Sequence, residues 1–134
     1  MAELKIVVHF RRKPGISVKE FDEYWEKQHG PLVTRVFPKM TRYVQVHYHS
    51  KALPEDSPLV DQVEGGNILR RDTTVDGVAE IYFNSLEDWI ETYNEVYLKK
   101  GGAGDELRND EHKFVDMSSI RFFLGREIVI KGKK

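Results

Sequence analysis

Tyr43, Gln45, His47 and His49 alternate along residues 41–49, Thr-Arg-Tyr-Val-Gln-Val-His-Tyr-His. The β-branched and aromatic content of this run reads as a strand. A strand sends successive side chains to opposite faces, so these four share one face. The other set, Arg42, Val44, Val46 and Tyr48, holds the aliphatic residues suited to packing on helices. That predicts Tyr43, Gln45, His47 and His49 on the open face of a sheet. His9 joins them, because Ile6, Val8 and Phe10 make the better core set of the opening strand. A face carrying a phenol, an amide and imidazoles beside aromatics has the make-up of a small-molecule site, mostly apolar with a few convergent polar groups.

His29 is placed differently. It follows Trp25 by four residues and Phe21 by eight, which puts it on an apolar helical stripe near a helix end. Two readings stay open on the residues alone. One is a hydrogen-bonded core histidine favoured by the helix dipole. The other is an acid–base imidazole titrating near neutrality on a rigid element.

Other chemistries find less support. His47-x-His49 with His9 would supply three nitrogens, the ligand number of some zinc sites, but no spaced carboxylate accompanies them, and no metal is expected. There is no Gly-x-Ser-x-Gly elbow for a nucleophilic serine. Gly65-Gly66 and Gly101-Gly-Ala-Gly104 lack the Lys-Ser/Thr of a phosphate-binding loop. Neither His47-Tyr-His49 nor Arg121-Phe-Phe is the aromatic motif of ferredoxin-like RNA binders.

The elements that must position these residues fit one domain over residues 1–134. The chain has 134 residues, 40% hydrophobic and 32% charged, with 21 Lys+Arg against 22 Asp+Glu. That near-neutral balance argues against nucleic acid as a partner, and the basic spots are scattered. With no cysteine, disulfide frameworks and thiol nucleophiles drop out. No run approaches the length of a membrane span, and the start does not read as a signal peptide. A cytoplasmic location is the default expectation.

Residues 4–11 read as a strand with apolar residues in both alternating sets. Pro14-Gly15 marks a turn, and Ser17-Val-Lys-Glu20 has capping-box spacing. Phe21, Tyr24, Trp25, His29, Leu32, Val33 and Val36 form the helix behind it, which is expected to break near His29 and restart with Pro31 in its first turn. Strand 41–49 follows, then a long loop over 51–75 of the kind that often serves as a lid. Residues 77–83 read as a third strand. Ser85 caps a second helix with its stripe at Leu86, Trp89, Ile90, Tyr93, Val96 and Tyr97. A short polar helix over 105–112 and a last strand over 119–130, bent near Gly125, complete the chain.

The order β-α-β-β-α-β is the ferredoxin-like α+β arrangement: a four-stranded antiparallel sheet with helices on one face. Both residue sets of several strands are apolar, so the second face is expected to meet a second subunit, a ligand, or both.

The run Val7-Val-His-Phe-Arg-Arg-Lys-Pro-Gly-Ile-Ser-Val-Lys-Glu-Phe21 followed by Tyr24-Trp-Glu-Lys-Gln-His-Gly-Pro-Leu32 resembles the EthD-like group of the dimeric α/β-barrel superfamily. Arg42-Tyr-Val-Gln-Val-His47, Ala79-Glu-Ile-Tyr-Phe83, Leu86-Glu-Asp-Trp89 and Asp110-Glu-His-Lys-Phe-Val-Asp116 continue it. The resemblance implies a protomer that dimerises through its sheet, a pocket between sheet and helices, and a frequent histidine at the position of His29. Short members of this look resemble decarboxylases of fungal aromatic-polyketide pathways, acting on anthrone or anthraquinone carboxylic acids. On that implication the partner molecule is a hydroxylated aromatic acid and no cofactor is required, because the electron sink lies in the substrate. His29 would protonate the carbon that loses carbon dioxide. His47 and Tyr43 would donate to the substrate oxygens, Gln45, His9 and His49 would orient the ring, and Trp25, Phe10 and Phe83 would form apolar walls. Cofactor-free oxygenation or cyclisation of a polyketide, or binding of an aromatic ligand by a non-catalytic homodimer, are the alternatives. Fold analogy does not choose among them.

Overall fold

The computed structural model describes residues 3–47 and 75–132. Strands β1 (Leu4–Phe10), β2 (Met40–His47), β3 (Gly77–Phe83) and β4 (Arg121–Gly125) form one sheet in the order β2-β3-β1-β4, with antiparallel pairings throughout. This is the ferredoxin-like α+β topology expected from the sequence. Helices α1 (Val18–Tyr24), α2 (Gly30–Val36), α3 (Leu86–Tyr93) and α4 (Ala103–Glu111) lie on one face of it. His49, Tyr48 and residues 51–74 of the expected lid loop lie outside the described residues. Among the described residues, no helix is long and apolar enough to cross a membrane.

The capping box forms as its spacing predicts. Glu20 N donates to Ser17 Oγ at 3.0 Å, and Ser17 N donates to Glu20 Oε1 at 3.3 Å. Ser85 Oγ caps α3 by accepting from Asp88 N at 3.1 Å. The first helix does not break near His29, although regular α-helix does restart with Pro31 in its first turn, as expected. A single π turn, Trp25–His29, joins α1 to α2, with Gly30 N–H donating to Trp25 O. Proline lacks an N–H and its ring crowds the carbonyl four residues back. A π turn widens the helix where Pro31 needs that room, so the chain stays helical. A second π turn, Asn94–Leu98, extends α3. The last strand is shorter than expected and ends at Gly125; Ile128, Val129 and Ile130 follow it, exposed and outside any strand.

The register corrects the expected faces. Tyr43, Gln45 and His47 sit opposite Ile81, Ala79 and Gly77, which sit opposite Ile6, Val8 and Phe10. All of these point toward the helices. Val7, His9, Val44, Val46, Val78 and Phe123 lie on the outer face instead. The aliphatic set of β2 was the misleading cue: its valines serve the outer surface, while the polar set packs inward because its polar atoms find partners there. His9 is therefore on the opposite face from Tyr43, Gln45 and His47, so His9 and His47 do not converge on a metal.

Two apolar clusters fill the layer between sheet and helices. One centres on Ile6, Val36, Phe37, Phe83 and Leu107, the other on Phe10, Phe21, Trp25 and Phe114. At about 25 cal/mol per Å² of apolar surface, burying these side chains is the main favourable term. Two glycines permit the closest approaches. A Cβ on Gly104 would lie 1.5 Å from the Val96 carbonyl oxygen, so α4 rests directly on the turn after α3. A Cβ on Gly77 would lie 2.6 Å from the Trp25 indole.

Candidate active site

Between the sheet and the helices is a cavity of about 350 Å³ whose wall is mostly apolar. This lies within the usual size range of small-molecule sites. Phe10, Trp25, Ala79 and Phe114 line it, with Trp89, Tyr93 and Tyr97 from the α3 side. The wall also carries polar groups: His29, Tyr43, Arg108 and Glu111, besides the hydroxyls of Tyr93 and Tyr97.

His29 is the buried base of this set. The π turn carries it inward, and its side chain is only 7% exposed. Nδ1 lies 2.8 Å from Asp110 Oδ2. A carboxylate only accepts, so Nδ1 carries the proton and donates it. The lone pair is then on Nε2, which has no hydrogen-bond partner among the described residues. Tyr24 OH donates to the other Asp110 oxygen. The Tyr24 phenol is pushed up to about 12, by burial first and then by its bond to Asp110, so it keeps its proton. Burial lowers the His29 pKa more than Asp110 raises it, which keeps the imidazole neutral at pH 7. A nucleophile or base oriented by a third group is a recurring catalytic arrangement.

Tyr43 stands on β2, facing the cavity. Burial raises its phenol, which therefore remains protonated. Gln45 Nε2 donates to Tyr43 OH at 2.9 Å and to the Trp25 carbonyl at 3.0 Å. The Trp25 carbonyl can only accept, so it fixes the Gln45 amide with Oε1 turned toward His47 Nε2, 2.8 Å away. His47 Nδ1 faces Asp22 Oδ1 at 2.9 Å. Both ring nitrogens of His47 are thus engaged, one by Asp22 and one by Gln45. The chain Asp22–His47–Gln45–Tyr43 fixes the direction of the phenol.

The structure brings together part of the expected set. His29, Tyr43, Trp25 and Phe10 line one cavity. Gln45 and His47 stand behind it; His47 stacks on the far side of Trp25 with ring centroids 4.3 Å apart. Phe83 is fully buried and packs on Phe37 and Trp89, away from the cavity wall. His9 is on the outer face, and His49 lies outside the described residues. Sequence reasoning missed Asp110, Glu111 and Arg108 as site residues. The short polar helix that carries them has no strong apolar stripe, so it reads as a solvated surface element.

Glu111 is perturbed as well. Burial, the largest effect, pushes its carboxyl up to about 7, against a lowering by Arg108. Arg108 is itself engaged, with Nη2 2.6 Å from Asp105 Oδ1.

Fold and cavity together define a ferredoxin-like protein with a carboxylate-oriented imidazole facing an apolar, aromatic-lined chamber. The EthD domain family model matches residues 13–118, and the chain belongs to that family. It is 28% identical over 126 residues to the dehydratase ustZ of Ustilaginoidea virens, covering 92% of this chain and 84% of the relative. It is also 28% identical over 127 residues to the conidial pigment biosynthesis dehydratase EthD of Metarhizium robertsii, covering 91% and 82%. Solved structures with the same fold include an EthD family protein of Bacillus halodurans, with TM-score 0.57 at 17% identity and 94% and 99% coverage. A dimeric ferredoxin-like protein of Bacteroides fragilis gives 0.55 at 10% identity, covering 95% and 98%. SnoaB, a cofactor-independent oxygenase of Streptomyces nogalater, gives 0.55 at 11% identity, covering 98% and 100%.

Proposed function

We propose that this protein is a lyase of aromatic-polyketide metabolism that eliminates water from a hydroxylated, partly reduced polycyclic substrate. The observation that carries the reading is His29: buried, neutral, held at Nδ1 by Asp110, in the wall of an aromatic-lined cavity with Nε2 left unengaged among the described residues. A neutral imidazole is a base. It removes a proton from the carbon beside a ring carbonyl, and the Tyr43 O–H stabilises the enolate oxygen. The neighbouring hydroxyl then leaves and the ring gains aromaticity. Positioned acid–base catalysis of this kind contributes about 10²–10⁴-fold, and a donor aimed at the developing oxyanion about 3–4 kcal/mol more. Each step is a proton transfer, and the substrate's own carbonyl receives the electrons. The names of the two dehydratase relatives support this reading.

Decarboxylation of a hydroxylated aromatic polyketide acid is the second reading. Arg108 in the cavity wall favours it, as a cation able to hold a substrate carboxylate. It ranks second because burial disfavours the His29 imidazolium that would protonate the ring carbon.

In either case the protein acts as a homodimer built on the outer sheet face. Val46 is 46% and Phe123 58% exposed there, beside Val7, Val44 and Val78. An apolar strip of this kind on one sheet face marks an interaction surface.

The test incubates the purified protein and its His29→Ala variant with a hydroxylated dihydroanthracenone carboxylic acid and follows product mass. Loss of water supports the first reading and loss of carbon dioxide the second. Gain of oxygen would point to an oxygenase, and tight binding without product to a carrier. Undiminished turnover by a folded His29→Ala variant would remove His29 from the mechanism.

A further inference from the structure

Glu111 occupies the last position of α4, next in sequence to the Asp110 that orients His29. Its side chain lines the same cavity. Among the described residues the carboxyl has no hydrogen bond and no ion pair. The groups that face it are known from each surrounding element. Arg108 and Asp110 come from α4, Tyr43 from β2, Tyr93 and Tyr97 from the α3 side, and His29 from the first π turn. Of these, Arg108 is the one cation, and Asp105 already holds it at 2.6 Å. The Glu111 charge is felt by both Tyr43 and Tyr97, whose phenols it helps to raise.

Glu111 is half-buried, and a desolvated carboxyl without a partner contributes nothing to the fold that a glutamine would not contribute with less desolvation penalty. Such groups in cavities mark sites where a proton is handled. Placing one carboxylic acid and one neutral imidazole on the same chamber separates an acid from a base at neutral pH, because their surroundings drive the two pKa values apart.

We propose that Glu111 is the second catalytic group of the cavity: its carboxylic acid donates a proton to the hydroxyl that leaves as water, while His29 Nε2 accepts the proton from carbon. The assignment rests on the lyase reading above. The step balances. The C–H bond breaks and its electron pair forms the new C=C bond by way of the enolate. The C–O bond breaks, and its pair stays on oxygen, which takes the Glu111 proton. Imidazolium and carboxylate remain, and one proton passes from His29 back to Glu111 through solvent. The protonated form predominates below about pH 7, so the acid is charged with its proton when His29 is already a base.

The experiment measures kcat and KM against pH for the wild type, Glu111→Gln and His29→Ala, with the same dihydroanthracenone acid. Wild-type kcat should fall as pH rises through about 7. Glu111→Gln should lose about 10²–10⁴-fold in kcat, with KM changed by less than about threefold, and its residual rate should lack the alkaline limb. A folded Glu111→Gln enzyme within about threefold of wild-type kcat, or one that keeps the alkaline limb, overturns the assignment. If Glu111→Gln stays active while His29→Ala is dead, only the Glu111 role falls. If the wild type turns over no substrate, the lyase reading falls and takes this proposal with it. A substrate-free measurement tests the desolvated carboxyl itself. Glu111→Gln should melt above wild type at about pH 8 and level with it at about pH 4, below the ordinary carboxylate value, because the penalty sets in once the unfolded chain ionises and the folded carboxyl resists. Equal melting at both pH values would contradict a desolvated, protonated Glu111.

Discussion

Asp110 Oδ2 lies 2.8 Å from His29 Nδ1 across 81 positions of sequence. This one contact sets which imidazole nitrogen bears the lone pair. Replacing Asp110 by Asn puts an N–H donor within reach of Nδ1 and favours the other tautomer, with Nε2 protonated. The equivalent change in a serine-protease triad lowers kcat by about 10⁴. We expect a fall of at least about 10²-fold here, with the fold unchanged by circular dichroism. The nitrogen chemical shifts of His29 should exchange between the two tautomeric patterns. Unaltered shifts would show that Asp110 does not select the tautomer.

Acidification should affect activity and stability through the same ring. Burial lowers the folded-state pKa of His29 below its ordinary value. The neutral base therefore persists below the usual histidine range, and the acid limb of kcat should lie under about pH 6.5. In the unfolded chain the ring takes a proton first as pH drops. Stability is then full above the ordinary value and declines as pH falls from there toward the lowered one. Urea midpoints at about pH 7.5 and pH 5.5 should differ more for wild type than for His29→Leu. An equal decline in both would assign the acid sensitivity to other groups.

Much of the fold was legible because its signals are local. Ser17 with Glu20, and Ser85 with Asp88, state where helices begin; β-branched runs state the strands. The faces of β2 were harder to read. Val44 and Val46 look like core residues, yet they face outward, because an apolar outer face carries the same pattern as a core. Gln45 and His47 face inward because Trp25 O and Asp22 engage them, and Gln45 in turn engages Tyr43; the two helix partners lie 20 and 25 residues earlier in the chain. Asp110 and Glu111 were invisible as site residues for a related reason. Their helix is polar, and its place in the cavity wall comes from tertiary packing, with Gly104 against Val96 and Leu107 in the core.

That packing gives a stability prediction. Alanine at position 104 would place Cβ 1.5 Å from the Val96 carbonyl oxygen, and backbone cannot rotate away as a side chain can. Overpacking of this kind typically costs about 1–3 kcal/mol, occasionally more; we expect the upper end, read as a lowered urea midpoint. Gly77→Ala meets the Trp25 ring at 2.6 Å. It should cost less stability but shift Trp25 fluorescence and weaken binding of an aromatic acid, because that ring is a cavity wall. Similar midpoints for wild type and Gly104→Ala would show that α4 has slack against the turn.

The outer sheet face is open to a direct test. Val46→Glu and Phe123→Glu place charge where apolar side chains are already exposed in the protomer. Sedimentation should report a dimer for wild type and a monomer for the double variant, with far-ultraviolet dichroism retained. A wild-type monomer at micromolar concentration would assign the face to another partner.

The π turn Trp25–His29 makes the length of this helix as important as its composition. An α-helix advances about 100° per residue, and the wide turn absorbs one residue of phase between Phe21 and Trp25 on one side and Val33 and Val36 on the other. Removing one of residues 26–28 would let regular α-helix re-form with the two halves still in phase, at a cost from the crowded Pro31 ring. Removing two would rotate the halves against each other by about that angle, taking Trp25 from the cavity wall and its carbonyl from Gln45. Tolerance in this exposed stretch, Glu26, Lys27 and Gln28, should therefore depend on how many residues are lost. A deletion scan would find single losses folded and double losses unfolded.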